Sequence, residues 1–321
     1  MNDEDEYDVV VVGGGLAGMT AALTSARLGR RTSLLTGAMI GGQLVGIDKV
    51  EGVPGFPEGV AGYDLCPMTQ EQADAAGVEF LVASCDGLTA EGGRWRSTSD
   101  GRAILSRAVV IATGSALARL GVPGEARLLG KGVSDCASCD APLLRDKVAV
   151  VVGGGDSGMQ EALTLAEHVA KVVIVERGDA LTGQSTYRER IRAHAKIEVR
   201  FGSTVTGILG DGAVSHVRIE AAGTGAESEL ATAAVFACVG LVANTEPFRG
   251  LVALDTTGRI CVDAAMRTPA PGLCAAGNVR RGSPHRAAGA MGDGATAALA
   301  IDRYLATGEW VSYPQGAREP A

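Results

Sequence analysis

The chain has 321 residues, 46% hydrophobic and 21% charged, with 4% aromatic but 46 glycines. That length accommodates two domains with separate cores, and the composition predicts an α/β protein of tight turns and Ala-rich helices. A formal net charge of −8 repels phosphate backbones and argues against nucleic acid as a partner. The start, MNDEDEYDVVVV, lacks the basic region of a signal peptide, and no apolar run is long enough to span a bilayer, so a cytoplasmic protein with no membrane partner is expected.

The first predicted element is a strand, a GxGxxG turn, a helix and a second strand, DVVVVGGGLAGMTAALTSARLGRRTSLLTG, from Asp8 to Gly37. Arg107 to Ala116, RAVVIATGSA, reads as a strand ending in a turn of small residues, suited to bring the chain back to a dinucleotide site. The stretches near Glu91–Gly101 and Ala221–Glu229 are polar and Gly-rich and read as hairpin or loop tips. The first pattern returns at Lys147 to Gly178, KVAVVVGGGDSGMQEALTLAEHVAKVVIVERG. Ala234 to Glu246, AVFACVGLVANTE, is a further strand. Pro271 to Leu305 is a strand, a polar loop and a long Ala-rich helix.

The glycines of the two turns are Gly13, Gly15, Gly18 and Gly153, Gly155, Gly158. In such a turn the first glycine allows the tight bend and the second lets a pyrophosphate approach the backbone. The third brings helix and strand together, with the helix N-terminus facing the phosphates. Each copy here follows a strand and opens a helix, the context the motif requires. Twenty-one residues beyond Gly15 stands Thr36, and twenty-one beyond Gly155 stands Glu176. A carboxylate at that place accepts ribose hydroxyls and repels a 2′-phosphate, so the second turn reads as a site for NADH rather than NADPH. Arg177 partly offsets that repulsion, and Thr36 implies a ribose held differently.

Of seven cysteines, only Cys136 and Cys139 are close in sequence, in SDCASCD. The scattered remainder does not form a disulfide framework, and without a second CxxC no zinc site is expected. Cys238, Cys261 and Cys274 have apolar neighbours and read as core residues. A CxxC at the start of a helix lowers its thiolate pKa. Asp140, just before Ala141-Pro142, has two readings: an acid/base group beside the thiols, or a helix cap.

In chain order the motifs GGGLAG, LLTG with GGQL (Gly41–Leu44), IATG, CASCD, GGGDSG and CAAGN resemble the low-molecular-weight thioredoxin reductases. The features near Glu176 are also similar to the flavin subunit of the alkyl hydroperoxide reductase system. The resemblance implies two Rossmann-like dinucleotide-binding domains, the second inserted into the first. An FAD domain would be built from 1–116 and 245–321. A nicotinamide domain, 117–244, would carry the CxxC and rotate between two working positions. It further implies that FAD is held by Gly13, Gly15, Ala17, Gly18, Thr36, Gly42, Gln43, Leu44, Ala112, Thr113, Gly114, Gly277, Asn278, His285, Arg286 and Ala287. NADH, or NADPH, would be held by Gly153, Gly155, Asp156, Ser157, Gly158, Glu176, Arg177 and Gly240. Cys139 would be the flavin-side sulfur, Cys136 the sulfur that attacks a partner disulfide, and Asp140 the proton donor to the leaving thiolate. A homodimer acting on a thioredoxin-like protein is the expected assembly.

The departures are specific. The NADPH-binding members' His-Arg-Arg run and later Arg correspond here to Glu176-Arg177-Gly178 and Thr182. Their Gly-Asp is Gly277-Asn278, their Arg-Gln-Ala is His285-Arg286-Ala287, and an Asn near the flavin ring is Gly52. Asn278 still offers hydrogen bonds to a hydroxyl. Two other readings compete with an NADH-dependent disulfide reductase: a dithiol oxidase using oxygen and no nicotinamide, and a non-enzymatic flavin-binding redox sensor. The residue after the second cysteine, Asp140, counts against the oxidase.

Overall fold

The computed structural model describes residues 6–310. The acidic start on which the signal-peptide reading rests lies largely outside them. The chain divides into two compact units, one made of the residues up to Ala116 and from Val242 onward, the other of Leu117–Leu241.

In the first unit, β1 (Glu6–Val12), α1 (Leu16–Arg27) and β2 (Thr32–Leu35) form a βαβ unit with parallel strands. β1 is Val-rich because both its faces are covered. Val9 and Val11 enter the cluster beneath α1, while Tyr7, Val10 and Val12 enter the one on the opposite face. After α2 (Gly62–Ala75), β3 (Glu79–Leu81) pairs in parallel with β2. β4 (Gly87–Glu91), β5 (Arg94–Ser99) and β6 (Arg102–Ile111) run antiparallel, and β6 also lies parallel beside β1. The stretch Glu91–Gly101, expected as hairpin or loop tips, is so at its two ends and is corrected between them. It holds a strand, β5, between two tips, with Trp95, Ser97 and Ser99 buried and the residues between them less so. Two of its three inward positions are serine, which conceals the alternation. β7 (Ser115–Leu117) follows.

The second unit repeats the plan. β8 (Val133–Ser134) and the four-residue helical turn α3 (Ala137–Asp140) precede β9 (Val148–Val152), α4 (Asp156–Ala166) and β10 (Lys171–Val175). α5 (Ser185–Ala193) leads to β11 (Ile197–Arg200). β12 (Ser203–Leu209), β13 (His216–Ala221) and β14 (Glu227–Ala231) form a separate antiparallel sheet. Its second tip falls in the expected stretch, Ala221–Glu229. β15 (Ala234–Ala237) completes a parallel sheet of order β11-β10-β9-β15-β8.

β16 (Leu241–Ala243) pairs with β7 as a two-stranded ribbon. β17 (Leu273–Ala275) then pairs in parallel with β6, and the 21-residue α6 (Ala287–Thr307) packs on α1. Gly294 permits that packing: a methyl group there would lie 2.2 Å from the Ala17 carbonyl oxygen. Among the described residues no helix is long and apolar enough to cross a membrane.

Candidate functional site

The two glycine turns have nearly the same geometry. Gly13 (φ 116°) and Gly153 (φ 110°) adopt a conformation that side chains rarely take. A methyl group on either would lie 2.3 Å from the carbonyl oxygen of Ala112 or Cys238, the residues just past β6 and β15. A methyl on Gly18 would lie 1.8 Å from the Gly13 oxygen, and one on Gly158 1.9 Å from that of Gly153. Each turn thus sits where the strand before it, β1 or β9, meets the parallel strand that returns beside it, β6 or β15, the crevice in which parallel sheets bind ligands. At Gly15 a methyl would meet nothing within 4 Å, and at Gly155 only Thr182 Oγ1 at 4.0 Å. Neither α1 nor α4 has a side-chain cap. Open space over uncapped amides is what a pyrophosphate fills, so both turns fit a dinucleotide.

Around the first turn, Gly14 donates to the Thr36 carbonyl at 3.1 Å and Gly41 to the Gly14 carbonyl at 2.8 Å. This brings Gly42 beside Gly15, with a methyl at Gly42 reaching 3.5 Å from the Gly15 Cα. Leu44 lies in the same 3-10 turn, Gly42–Gly46. Gln43 Nε2 donates to the Ser115 carbonyl at 2.5 Å. Thr36 is buried, and its hydroxyl donates to the Gly37 carbonyl at 2.9 Å. Thr113 Oγ1 donates to the Asn244 carbonyl at 2.8 Å, Asn244 Nδ2 to the Thr113 carbonyl at 2.9 Å, and the Asn244 amide to the Gly114 carbonyl at 3.1 Å. The two passages of the chain are thereby clasped together.

Gly277 comes against Ala17: a methyl at Gly277 would lie 2.8 Å from the Ala17 Cβ. The loop after it is held by a residue that the sequence does not single out. Asp293, on α6, receives the Gly277 amide at 3.0 Å and a fork from Arg280, Nε at 2.6 Å and Nη2 at 2.7 Å. Asn278 Oδ1 accepts from Ser283 Oγ at 3.1 Å. His285 stands at φ 53° just before Arg286 and Ala287, where α6 begins. Partial burial, then the charges of Arg259 and Arg286, hold its imidazole below the usual histidine range.

At the second turn both oxygens of Glu176 are engaged. Oε2 accepts the Gly154 amide at 2.6 Å and Oε1 the Gly178 amide at 2.7 Å. The carboxylate, in a buried residue, therefore ties the turn to the end of β10, while Arg177 and Ser157 are exposed. Asp156 Oδ1 accepts the Gln184 amide at 2.7 Å. Gly240 is exposed, and its carbonyl accepts from Ala118 at 2.9 Å.

Cys136 and Cys139 form a disulfide. Cys136 caps α3, its sulfur accepting the Cys139 amide at 3.2 Å, and Ser134 Oγ accepts the Cys136 amide at 3.1 Å. Cys139 is exposed and Cys136 half-buried. Asp140 precedes the next short helical turn without a side-chain capping bond. Cys66 and Cys274 are buried, and burial raises their thiols, as it does that of Cys238.

Residues 7–294 match the family model described as pyridine nucleotide-disulphide oxidoreductase. The thioredoxin reductase of Treponema pallidum is 36% identical over 95% of this chain and 99% of that protein, and that of Bacillus subtilis 36% identical over 95% and 96%. Among solved structures, the thioredoxin reductase of Lactococcus lactis is 34% identical with a TM-score of 0.91, covering 94% of this chain and 99% of its own. With the doubled dinucleotide fold and the CxxC disulfide, these likenesses show that the chain belongs to the pyridine nucleotide-disulphide oxidoreductases, as an NAD(P)H-dependent flavoprotein disulfide reductase of the low-molecular-weight thioredoxin reductase family.

Proposed function

We propose that the chain passes two electrons from NADH to the Cys136–Cys139 disulfide and from there to the disulfide of a thioredoxin-like protein. The observation that carries the choice of NADH is the Glu176 carboxylate, fixed by two amides beside the open Gly155. Each carboxylate oxygen keeps a lone pair for a ribose hydroxyl and meets a 2′-phosphate with like charge. The relatives' names point to thioredoxin as their substrate.

In this reading the first unit holds FAD, with the Gly13–Gly18 turn on the pyrophosphate and the Gly277–Val279 loop beside it. The Gly153–Gly158 turn holds the nicotinamide dinucleotide. FAD supplies acceptance of hydride from the nicotinamide and delivery of an electron pair to a disulfide. Cys136 is assigned the attack on the partner disulfide because the Cys139 amide favours its thiolate. Asp140 protonates the departing thiolate, and Cys139 closes the ring again. A homodimer is proposed on the family likeness, with solution mass as its check.

Anaerobic rapid mixing tests the reading. NADH bleaches the bound flavin quickly, NADPH does so less efficiently, and a thioredoxin-like protein reoxidises the enzyme. Bleaching by a small dithiol but by neither nicotinamide would replace the reductase with a dithiol oxidase.

A further inference from the structure

Glu161 lies on α4, and its Oε2 accepts the amide N–H of Ala137 at 2.8 Å. Ala137 follows Cys136 directly and is 1% exposed. The Cys136 sulfur takes the Cys139 amide of the same turn at 3.2 Å. A carboxylate and a redox sulfur are thus held as neighbours on the donors of one four-residue turn. The carboxylate is brought there by a different helix, 24 residues further along the chain.

We infer that Glu161 is a positioning residue for the disulfide whose charge also restrains the Cys136 thiolate. Its hydrogen bond fixes the turn, and its charge makes the reduced pair the stronger reductant. The inference rests on the proposed redox cycling of the pair. Reduction breaks the S–S bond with two electrons, drawn from NADH in the proposed reaction. With one proton taken up it leaves a thiol and a thiolate. Negative charge beside Cys136 raises the free energy of that thiolate, so it raises the thiol pKa and lowers the reduction potential.

Other charges flank the turn. Asp135 forks with Arg119 at 2.7 Å in both arms, which offsets it. Asp140 lies on the turn itself, and Asp156 opens α4. The Cys238 thiol, just past β15, is raised first by burial and then by Glu161 and Asp135, so the Glu161 charge is felt within this unit.

Glu161→Gln keeps an oxygen for the Ala137 amide and removes the charge. Glu161→Ala removes both. In the flavin-loaded enzyme carrying Cys139→Ser, the pH dependence of Cys136 alkylation by iodoacetamide is read by peptide mass spectrometry. With Glu161→Gln its midpoint falls by about one pH unit. With both cysteines present, the ratio of reduced to oxidised pair in a fixed dithiothreitol buffer rises about tenfold in Glu161→Gln. Unchanged midpoint and ratio in Glu161→Gln would overturn the inference, as would a shift in the opposite direction. So would equal behaviour of Gln and Ala with loss of thermal stability in both, which would leave only a structural bond. Neither readout uses NADH, so failure of the nicotinamide reading shows separately, as absent flavin bleaching in the wild type.

Discussion

The carboxylate of Glu176 receives the amides of Gly154 and Gly178 at 2.6 and 2.7 Å, which ties the end of β10 to the glycine turn after β9. In the first unit the corresponding tie is made by backbone alone, Gly14 to the Thr36 carbonyl at 3.1 Å. The second unit thus places a negative charge where the first places none. NADH is expected to be favoured over NADPH by about 2–3 kcal/mol in transition-state terms, the scale of one charge-assisted bond lost and an unpaired charge gained. Glu176→Arg with Gly178→Arg erases or reverses the preference. A methyl at Gly178 meets Glu176 Oε1 at 3.2 Å, a contact the first substitution removes. The measurement is kcat/KM with each nucleotide for wild type and double variant. A wild type that prefers NADPH would show the ribose argument to be wrong.

The open glycines separate the two cofactors. Gly15→Ala and Gly155→Ala both leave the fold intact, because their methyl groups meet nothing closer than 4.0 Å in the protein. What they meet is the ligand. Gly15→Ala lowers the flavin content of the purified enzyme. Gly155→Ala keeps the flavin and raises KM for NADH at least tenfold, the effect of about 1.4 kcal/mol of lost binding. Flavin absorbance per chain and steady-state kinetics check both. The opposite pairing of effects would exchange the roles of the two units.

Cys136→Ser and Cys139→Ser each abolish reduction of a protein disulfide while flavin binding and reduction of small dyes by NADH persist. A serine hydroxyl has too high a pKa to replace a thiolate. Cys139→Ser, which retains Cys136, traps a mixed disulfide with a thioredoxin-like protein, and Cys136→Ser does not. Non-reducing electrophoresis reads the result. Trapping only by Cys136→Ser would move the attacking role to the more exposed Cys139.

What the sequence makes legible is local. A strand, a left-handed glycine, an open glycine and a close-packed glycine are demands of one turn, so Gly13 to Gly18 and Gly153 to Gly158 can be read from spacing. The adjacency of Cys136 and Cys139 is local in the same way. Glu161 and Asp293 are not legible, because each acts on another element through a helix face that only packing selects. Glu161 reads as an ordinary polar residue of an Ala-rich helix, and Asp293 as a single charge in MGDGATAALA. β5 is hidden for a different reason: serines occupy inward positions that a strand pattern expects to be apolar.

Asp293 carries the last prediction. Its carboxylate is nearly buried, its side chain 8% exposed, and Arg280 beside it 13%. It takes the fork of Arg280 and the Gly277 amide together, so one charge organises the turn that passes Ala17. Removing one partner of such a pair strands the other away from water, at a cost of about 3–5 kcal/mol. Asp293→Ala is therefore expected to lower unfolding stability by that order in urea. Asp293→Asn, which can still accept the Gly277 amide, loses less. The flavin should suffer as well, since the loop reaching toward α1 loses its anchor. Flavin retention on dilution falls in the order wild type, Asn, Ala, while in whatever fraction stays loaded Cys136 and Cys139 still cycle with dithiothreitol. Equal stability of wild type and Ala would mean that Arg280 finds another partner and that the ion pair does not hold the loop.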